Sequence, residues 1–266
     1  MTPKSRRPPA ELVTRLRAAG CVFAEEEAHL LVAEAATSLE LAILVDRRVA
    51  GLPLEHVLGW AEFGGMRVLV EPEVFVPRRR TELLASEAVA LARAVAPRHG
   101  RPPVVVELCC GSGAVSAVLL AELDPIELYA ADLDPIAVRC ARRNLGERAR
   151  VLWSDLYAEL PAPLRRRVDV LVANAPYVPT AELALMPPEA RLHEPTRALN
   201  GGADGLDVLR EVISGAPPWL AADGALLVET GAAQGAAVAA VMASAGLRPR
   251  TVRSPEPSAT VVIGSS

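Results

Sequence analysis

The chain has 266 residues, a formal net charge of −4 and 51% hydrophobic residues. This length is enough for one large catalytic domain with a small appendage. The negative charge argues against indiscriminate nucleic-acid binding, and the 3% aromatic content is low for a protein that stacks on single-stranded bases. No apolar segment is long enough to span a bilayer, and the amino terminus leads into prolines and charges. We therefore expect a cytoplasmic protein with neither a membrane partner nor stable nucleic-acid binding.

The amino-terminal part predicts a small helical bundle. Apolar residues recur at helical spacing between Glu11 and Gly51, as at Leu12 and Leu16. The stretch from Trp60 to Phe75, with two glycines between short apolar runs, predicts a hairpin or an extended connector.

The remainder alternates strands with helices in the order expected of an α/β protein with a parallel sheet. Val252 and residues 260–263 predict an antiparallel pair at the edge of that sheet. Helices are predicted near Ser112–Leu123, Pro135–Asn144, Gly205–Ser214 and Gly231–Ala245.

A glycine loop follows the first predicted strand of this α/β part. The apolar run 104–108 contains Glu107 and leads into Cys109, Gly111 and Gly113. Glycines let a ligand lie directly on the backbone, and the start of the next helix offers free N–H groups. The third glycine of the dinucleotide fingerprint is missing, which argues against NAD. Glu107 would repel a pyrophosphate, but it suits the cationic sulfonium and ammonium groups of S-adenosylmethionine.

Acidic residues also end the next two predicted strands. Asp132 ends the second strand, where an acid binds ribose hydroxyls in doubly wound folds. The third strand leads to Asp155 and Leu156, so a carboxylate can bond the adenine amino group while an apolar side chain covers the ring. Taken singly, each of these acids is equally typical of a residue in a solvated loop. Three of them at successive strand ends predict a single nucleoside-containing cofactor, S-adenosylmethionine.

The turn Asn174-Ala175-Pro176-Tyr177, after the apolar run 168–173, predicts an acceptor site. An amide or ring-attached amino group is a poor nucleophile because its lone pair is delocalised. The Asn174 oxygen can accept one of its hydrogens and the Ala175 carbonyl the other, while Tyr177 stacks on the flat group. Pro176 holds the Ala175 carbonyl in an extended turn. Asn174 is expected to contact the cofactor as well, although the same four residues alone also suit an ordinary turn.

The four cysteines lack the paired spacing of a metal site, and we expect no bound metal. Cys109 and Cys110 are neighbours in the glycine loop, which argues against a disulfide scaffold. Both are interpreted as small fillers of the loop and core, with a nucleophilic cysteine as a remote alternative.

Motifs along most of the chain resemble the HemK/PrmC family of class I protein-(glutamine N5) methyltransferases. The family signature Asn-Pro-Pro-Tyr is matched at the acceptor turn except at Ala175, and residues 107–113 are similar to the family's cofactor loop. Arg79 and Asn200 are two further departures from the family pattern. Other similar segments are Pro53–Gly59, Glu62–Arg67, Val76–Glu82, Glu194–Leu206 and Glu229–Gln234.

The resemblance implies a Rossmann-like, mainly parallel seven-stranded sheet with a small amino-terminal helical domain. It divides the chain into a substrate-docking domain at residues 1–58, a hairpin connector at 59–82 and a methyltransferase domain at 83–266. It also implies methylation of a glutamine side chain in a protein, for which the family's main target is the Gly-Gly-Gln loop of a peptide chain release factor. Catalysis would then depend on orientation and hydrogen bonding. The arginines at 78–80 would lie beside the site, where they can engage an acidic partner or close it.

Three alternatives stay open at this point. A nucleic-acid methyltransferase can use the same turn on the exocyclic amino group of a base. The acceptor can instead be a small metabolite or a different protein. The chain can also be a cofactor-binding homologue that has lost transfer activity.

Overall fold

The computed structural model of the protein describes residues 7–256 and 258–266. Within these ranges the chain forms a helical bundle, a two-stranded hairpin and a seven-stranded sheet flanked by helices. The first six residues of the expected docking domain, 1–6, lie outside the described residues. No helix in the described ranges is both long enough and apolar enough to cross a membrane.

The amino-terminal bundle has its own apolar core. Leu16 and Leu31 are fully buried in it, as the helical spacing of apolar residues predicts. Thr37 begins the third helix by accepting a hydrogen bond from the Glu40 amide at 3.1 Å. The bundle comprises α1 Ala10–Ala18, α2 Ala24–Glu34, α3 Ser38–Val49 and α4 Leu54–Leu58.

The predicted hairpin is present and is fastened to the sheet. Strands β1 (Trp60–Phe63) and β2 (Met66–Leu69) pair antiparallel, and the two glycines between them both have positive φ. Phe63 and Val68 are buried in the same apolar core as the helices on one face of the large sheet. The connector therefore packs as part of the larger body.

The large sheet confirms the predicted α/β class. Its order is β5-β4-β3-β6-β7-β9-β8, in which β3 to β7 are parallel and β9 is antiparallel to both of its neighbours. The strands are β3 Val104–Leu108, β4 Glu127–Asp132, β5 Arg150–Trp153, β6 Val168–Ala173, β7 Leu220–Glu229, β8 Arg248–Ser254 and β9 Ala259–Ser265. The remaining α-helices are α5 Glu82–Arg93, α6 Val95–His99, α7 Ala114–Glu122, α8 Pro135–Leu145, α9 Pro188–His193, α10 Asp207–Gly215 and α11 Gly235–Ser244.

The four predicted helices are all present, but α7, α10 and α11 begin later than predicted. Helix α7 begins at Ala114 because Gly113 adopts a left-handed conformation with φ 76°. Helix α11 begins at Gly235 because the Gln234 side chain bonds the Gly231 amide, which leaves the preceding residues in a turn. The antiparallel edge pair is confirmed as β8 and β9.

The order of the strands creates a crevice at one edge of the sheet. The chain reverses direction across the sheet at β3, which has β4 on one side and β6 on the other. The register aligns the strand ends, since Leu108 lies opposite both Ala131 and Ala173. In open α/β sheets, ligands bind at such a switch point, beyond the carboxyl ends of the strands.

Candidate active site

Two adjoining cavities open at this carboxyl edge. The first cavity encloses about 1160 Å³ including its open mouth, and the second about 850 Å³. The residues that line both cavities are Phe75, Asn174, Pro176 and Ala198.

The first cavity brings together most of the residues predicted to bind a cofactor. These lining residues are Glu107, Cys109, Gly111, Asp132, Asp155, Leu156 and Asn174. Gly113 is not part of the lining. A Cβ atom there would lie 3.1 Å from the Leu145 side chain, so this glycine allows α7 to pack closely against α8.

Glu107 is a buried carboxylate at the base of the first cavity. Its Oε2 atom accepts hydrogen bonds from the Ser116 amide at 2.9 Å and from the Ser116 hydroxyl. Burial raises the pKa of Glu107 to about 7. A cationic ligand beside this carboxyl would favour its ionised form.

Asp132 orders the glycine loop and lines the cavity at the same time. Its two oxygens accept the amides of Gly111 and Asp134, each at 2.8 Å. Burial raises the pKa of Asp132 despite these bonds. Because each carboxylate oxygen has two lone pairs, Asp132 keeps acceptor capacity for a ligand hydroxyl.

Backbone strain is concentrated around the first cavity. Three of the four non-glycine residues with positive φ in the described ranges line it, namely Glu73, Cys109 and Leu156. Each such conformation costs about 1–3 kcal/mol and is characteristic of ligand sites. An added Cβ atom at Gly111, in contrast, would meet no atom within 4 Å, so the loop backbone faces open space there.

The cysteine thiols of the loop have the properties of packing groups. Burial raises the pKa of both Cys109 and Cys110 well above the usual value, so both thiols stay protonated at neutral pH. This protonation argues against the alternative of a nucleophilic cysteine. No group of three or more His, Cys, Asp or Glu side chains in the described part of the chain could hold a metal ion.

The chemistry of the first cavity fits S-adenosylmethionine. Carboxylates at the ends of three neighbouring strands can accept hydrogens from hydroxyl and amino groups and can stabilise positive charge. Leu133 and Leu156 provide apolar surface for a flat base. The glycine loop lets the ligand approach the backbone.

Asn174 stands between the two cavities. Its Nδ2 atom is 3.4 Å from the Thr81 hydroxyl, and its carboxamide oxygen accepts no hydrogen bond from the described residues. Ala175 is packed into the sheet core with 1% of its surface exposed, and with Pro176 and Tyr177 it lines the second cavity. The predicted acceptor turn therefore faces the second cavity.

Tyr177 is held at both its side chain and its main chain. Its hydroxyl donates to Glu229 Oε1 at 3.0 Å and accepts from Arg80 Nε at 3.0 Å. Its carbonyl accepts from the Gln234 side chain at 3.0 Å, and Gln234 also bonds the Asp204 carbonyl. Sequence reasoning did not assign Glu229 to the site, and it placed Arg80 beside the site only as one of the arginines at 78–80. The signal for Glu229 was available, because it is a fourth acid at the end of a parallel strand.

Of the departures Ala175, Arg79 and Asn200, only Ala175 contacts the site. Asn200 lines neither cavity, and its side-chain oxygen accepts from the Thr180 hydroxyl at 2.8 Å and the Gly202 amide at 3.0 Å. An aspartate oxygen can fill that acceptor role equally well. Arg79 is exposed and also lines neither cavity.

Comparison with known proteins identifies the family. Residues 86–202 match the family "Methyltransferase small domain". The release factor glutamine methyltransferase of Geobacter sulfurreducens is 35% identical over 76% of this chain and 69% of its own. The 4-amino-L-phenylalanine/4-methylamino-L-phenylalanine methyltransferase of Streptomyces pristinaespiralis is 36% identical over 76% of this chain and 69% of its own.

The fold has a solved counterpart in the ribosomal protein L11 methylase of Lactobacillus delbrueckii. That structure matches with a TM-score of 0.52 and 15% identity over 74% of this chain and 83% of its own. At this identity the match establishes the fold alone, a Rossmann-like methyltransferase sheet. Further release factor glutamine methyltransferases from other bacteria are 35–39% identical over about three quarters of this chain. On these similarities, the chain belongs to the release factor glutamine methyltransferase family.

Proposed function

We propose that this protein transfers a methyl group from S-adenosylmethionine to the side-chain amide nitrogen of a glutamine in a peptide chain release factor. The observation that carries the proposal is the position of Asn174, at the head of the family's acceptor turn and between two adjoining cavities. Membership of the family supports the choice of acceptor. Such a substrate places the enzyme in the cytoplasm.

The first cavity would hold the cofactor. Glu107 would face its cationic amino-acid end, Asp132 its ribose hydroxyls and Asp155 the adenine amino group, with Leu156 over the ring. S-adenosylmethionine supplies an electrophilic methyl group on a sulfonium. The protein's part is to orient this group towards Asn174 and to exclude water around it.

The second cavity would hold the planar amide of the acceptor. The Asn174 oxygen and the Ala175 carbonyl accept its two hydrogens, which leaves the nitrogen lone pair facing the first cavity. As the nitrogen–carbon bond forms and the sulfur–carbon bond breaks, the nitrogen gains positive character, its hydrogens become more acidic, and one of them is finally lost to water. The two acceptors therefore bind the transition state more strongly than the ground state, and no strong base is required.

A second candidate is the methylation of a free arylamine amino acid. The relative from Streptomyces pristinaespiralis is as similar to this chain as the release factor enzymes. Ala175, the one departure that lines the second cavity, is the specific observation in its favour. An arylamine is also a planar, conjugated nitrogen, so the same hydrogen-bond acceptors would serve it.

The helical part at residues 1–58 is proposed to dock the protein acceptor. Arg48 of α3 donates to Glu27 at 2.6 and 3.1 Å and lies 2.8 Å from Glu189 of α9. Glu189 lines the second cavity, so this buried arginine connects the bundle to the wall of the acceptor site. Leu39 and Ile43, four residues apart on α3, are 73% and 50% exposed and provide apolar surface for a partner.

The acceptor is tested with labelled S-adenosylmethionine and three candidates: purified release factors, 4-amino-L-phenylalanine and a mixed polynucleotide. We expect methylglutamine in the release factor, identified by mass spectrometry of the labelled peptide. Ala175→Pro should leave this activity unchanged or raise it, because it stiffens the turn and keeps the carbonyl. The proposal would be contradicted if the arylamine or the polynucleotide were labelled while neither the parent protein nor Ala175→Pro labelled a release factor.

Asn174→Ala should lower kcat for the acceptor about a hundredfold or more, by analogy with the loss of one preorganised hydrogen-bonding group in other enzymes. Cofactor affinity, measured by calorimetry, should change little. Asn174→Asp keeps an oxygen acceptor and should retain more activity than Asn174→Ala. Asn200→Ala, outside both cavities, is the control. Equal losses in the Asn174 and Asn200 variants would remove Asn174 from the catalytic centre.

Cofactor binding should strengthen as the pH rises from 6 to 8. The pKa of Glu107 is raised to about 7, so its carboxyl is mostly protonated at pH 6 and mostly ionised at pH 8. A cationic ligand needs the ionised form, and the affinity at pH 6 should therefore be roughly tenfold lower. Calorimetry in two buffers of different ionisation enthalpy should detect proton release. Glu107→Gln should lose this pH-dependent component; the same slope in parent and variant would refute the assignment.

If the helical part docks the acceptor, the double variant Leu39→Asp/Ile43→Asp should raise KM for a folded release factor roughly fivefold or more, because it removes apolar side chains that anchor the interface. Activity on a short glutamine peptide should stay the same, because both side chains are exposed and lie outside the cavities. Val22→Asp, at an exposed position between α1 and α2, is the control. An unchanged KM for the folded protein would leave the α3 surface without a docking role.

A further inference from the structure

An ion pair between the buried Glu229 and the half-exposed Arg80 lies directly behind the acceptor turn. Glu229 is the last residue of β7, and its side chain is 1% exposed. The register of β6 with β7 pairs Ala173 with Val228, so Glu229 lies beside Asn174. Its Oε1 atom accepts from the Tyr177 hydroxyl at 3.0 Å and from Arg80 Nε at 3.1 Å.

The second oxygen of Glu229 is buried and has no hydrogen-bond partner among the described residues. A buried carboxylate with an unpartnered oxygen is unfavourable, and a neutral side chain of the same size would avoid part of that penalty. The negative charge of Glu229 is therefore better explained by the two hydrogen-bond donors that bind Oε1 than by a contribution to the stability of the fold. These donors come from two different segments, the connector and the acceptor turn.

The main chain of Tyr177 is fixed independently of its ring. Gln234 donates to the Tyr177 carbonyl, and Gly205 approaches that oxygen so closely that a Cβ atom there would lie 2.3 Å from it. With the backbone fixed in this way, the position of the ring depends on the hydroxyl. Arg80 also lines the second cavity, with its guanidinium carbon 5.9 Å from the centre of the Tyr177 ring.

We propose that Glu229 is a positioning residue for the transfer reaction. Through Tyr177 and Arg80 it fixes the ring against which the planar acceptor group lies, and so sets the alignment of the acceptor nitrogen with the methyl group. The inference rests on the proposed function of the second cavity. It holds for a glutamine amide and for an arylamine alike, because both present a flat group to the ring.

The kinetic test uses Glu229→Gln in the full chain, with whichever acceptor is methylated. We expect kcat to fall about tenfold to a hundredfold with unchanged cofactor affinity. Tyr177→Phe keeps the ring but removes the hydroxyl, so the double variant should be no worse than the poorer single variant. Asp169→Asn is the matched control, since Asp169 is a buried carboxylate bonded to Arg101 near the opposite edge of the sheet. It should lose stability and keep kcat.

A second readout needs no acceptor and stays informative if the glutamine assignment fails. The chain has three tyrosines, so ring-carbon labelling of tyrosine gives few signals, and Tyr177→Phe assigns one of them. Glu229→Gln should shift or broaden the Tyr177 signal, and Asp169→Asn should not. An unmoved Tyr177 signal would overturn the inference. The inference would also be overturned if the decreases in kcat of the two single variants multiplied in the double variant. The same holds if Glu229→Gln lowered only the stability of the protein and left kcat unchanged.

Discussion

The alignment of parallel strand ends at one edge of the sheet is the constraint on which the rest of the site depends. Strands β3 to β7 run in the same direction, so their last residues meet along a single line. Glu107, Asp132, Asn174 and Glu229 each lie at or near the end of one of these strands. Residues far apart in the sequence are thereby brought together by the hydrogen-bonded pairing of neighbouring strands.

Placing several acids along one edge of the sheet costs desolvation energy, which nearby hydrogen-bond donors partly offset. Each carboxylate is desolvated, and each has donors that partly offset this: Ser116 for Glu107, two backbone amides for Asp132, and Arg80 with Tyr177 for Glu229. The raised pKa of Glu107 shows that the offset is incomplete in the free protein. A cationic ligand would complete the compensation at Glu107, so ligand binding and ionisation of this carboxyl are coupled.

Much of this site was predictable because its signals are local. An apolar run followed by an acid or by Asn-x-Pro-Tyr identifies a strand end from a few residues. The positions of Glu107, Asp132, Asp155 and Asn174 follow from that pattern together with the sheet order. The late start of α7 depends on the φ angle of a single glycine, which the pattern does not specify.

Other features could not be predicted because they depend on contacts between distant segments. The acid that ends β7, Glu229, follows the apolar run 225–228 and so has the same local signal as the other acids, but nothing local indicates which residues it bonds. The contacts of Arg80 with Tyr177 and Glu229 join residues 97 and 149 positions apart. For the same reason, the sequence alone could not show that Arg79 and Asn200 lie outside both cavities.

In the proposed mechanism, Asn174 separates a cofactor cavity from an acceptor cavity. The most direct measurement is a crystal structure of the protein with S-adenosylhomocysteine and a glutamine peptide. We expect the adenine beside Asp155 and Leu156 and the sulfur facing Asn174. The glutamine amide should lie in the cavity lined by Tyr177, with its nitrogen bonded to the Asn174 oxygen and the Ala175 carbonyl. A nucleoside in the second cavity, or a glutamine amide that does not contact Asn174, would contradict this mechanism.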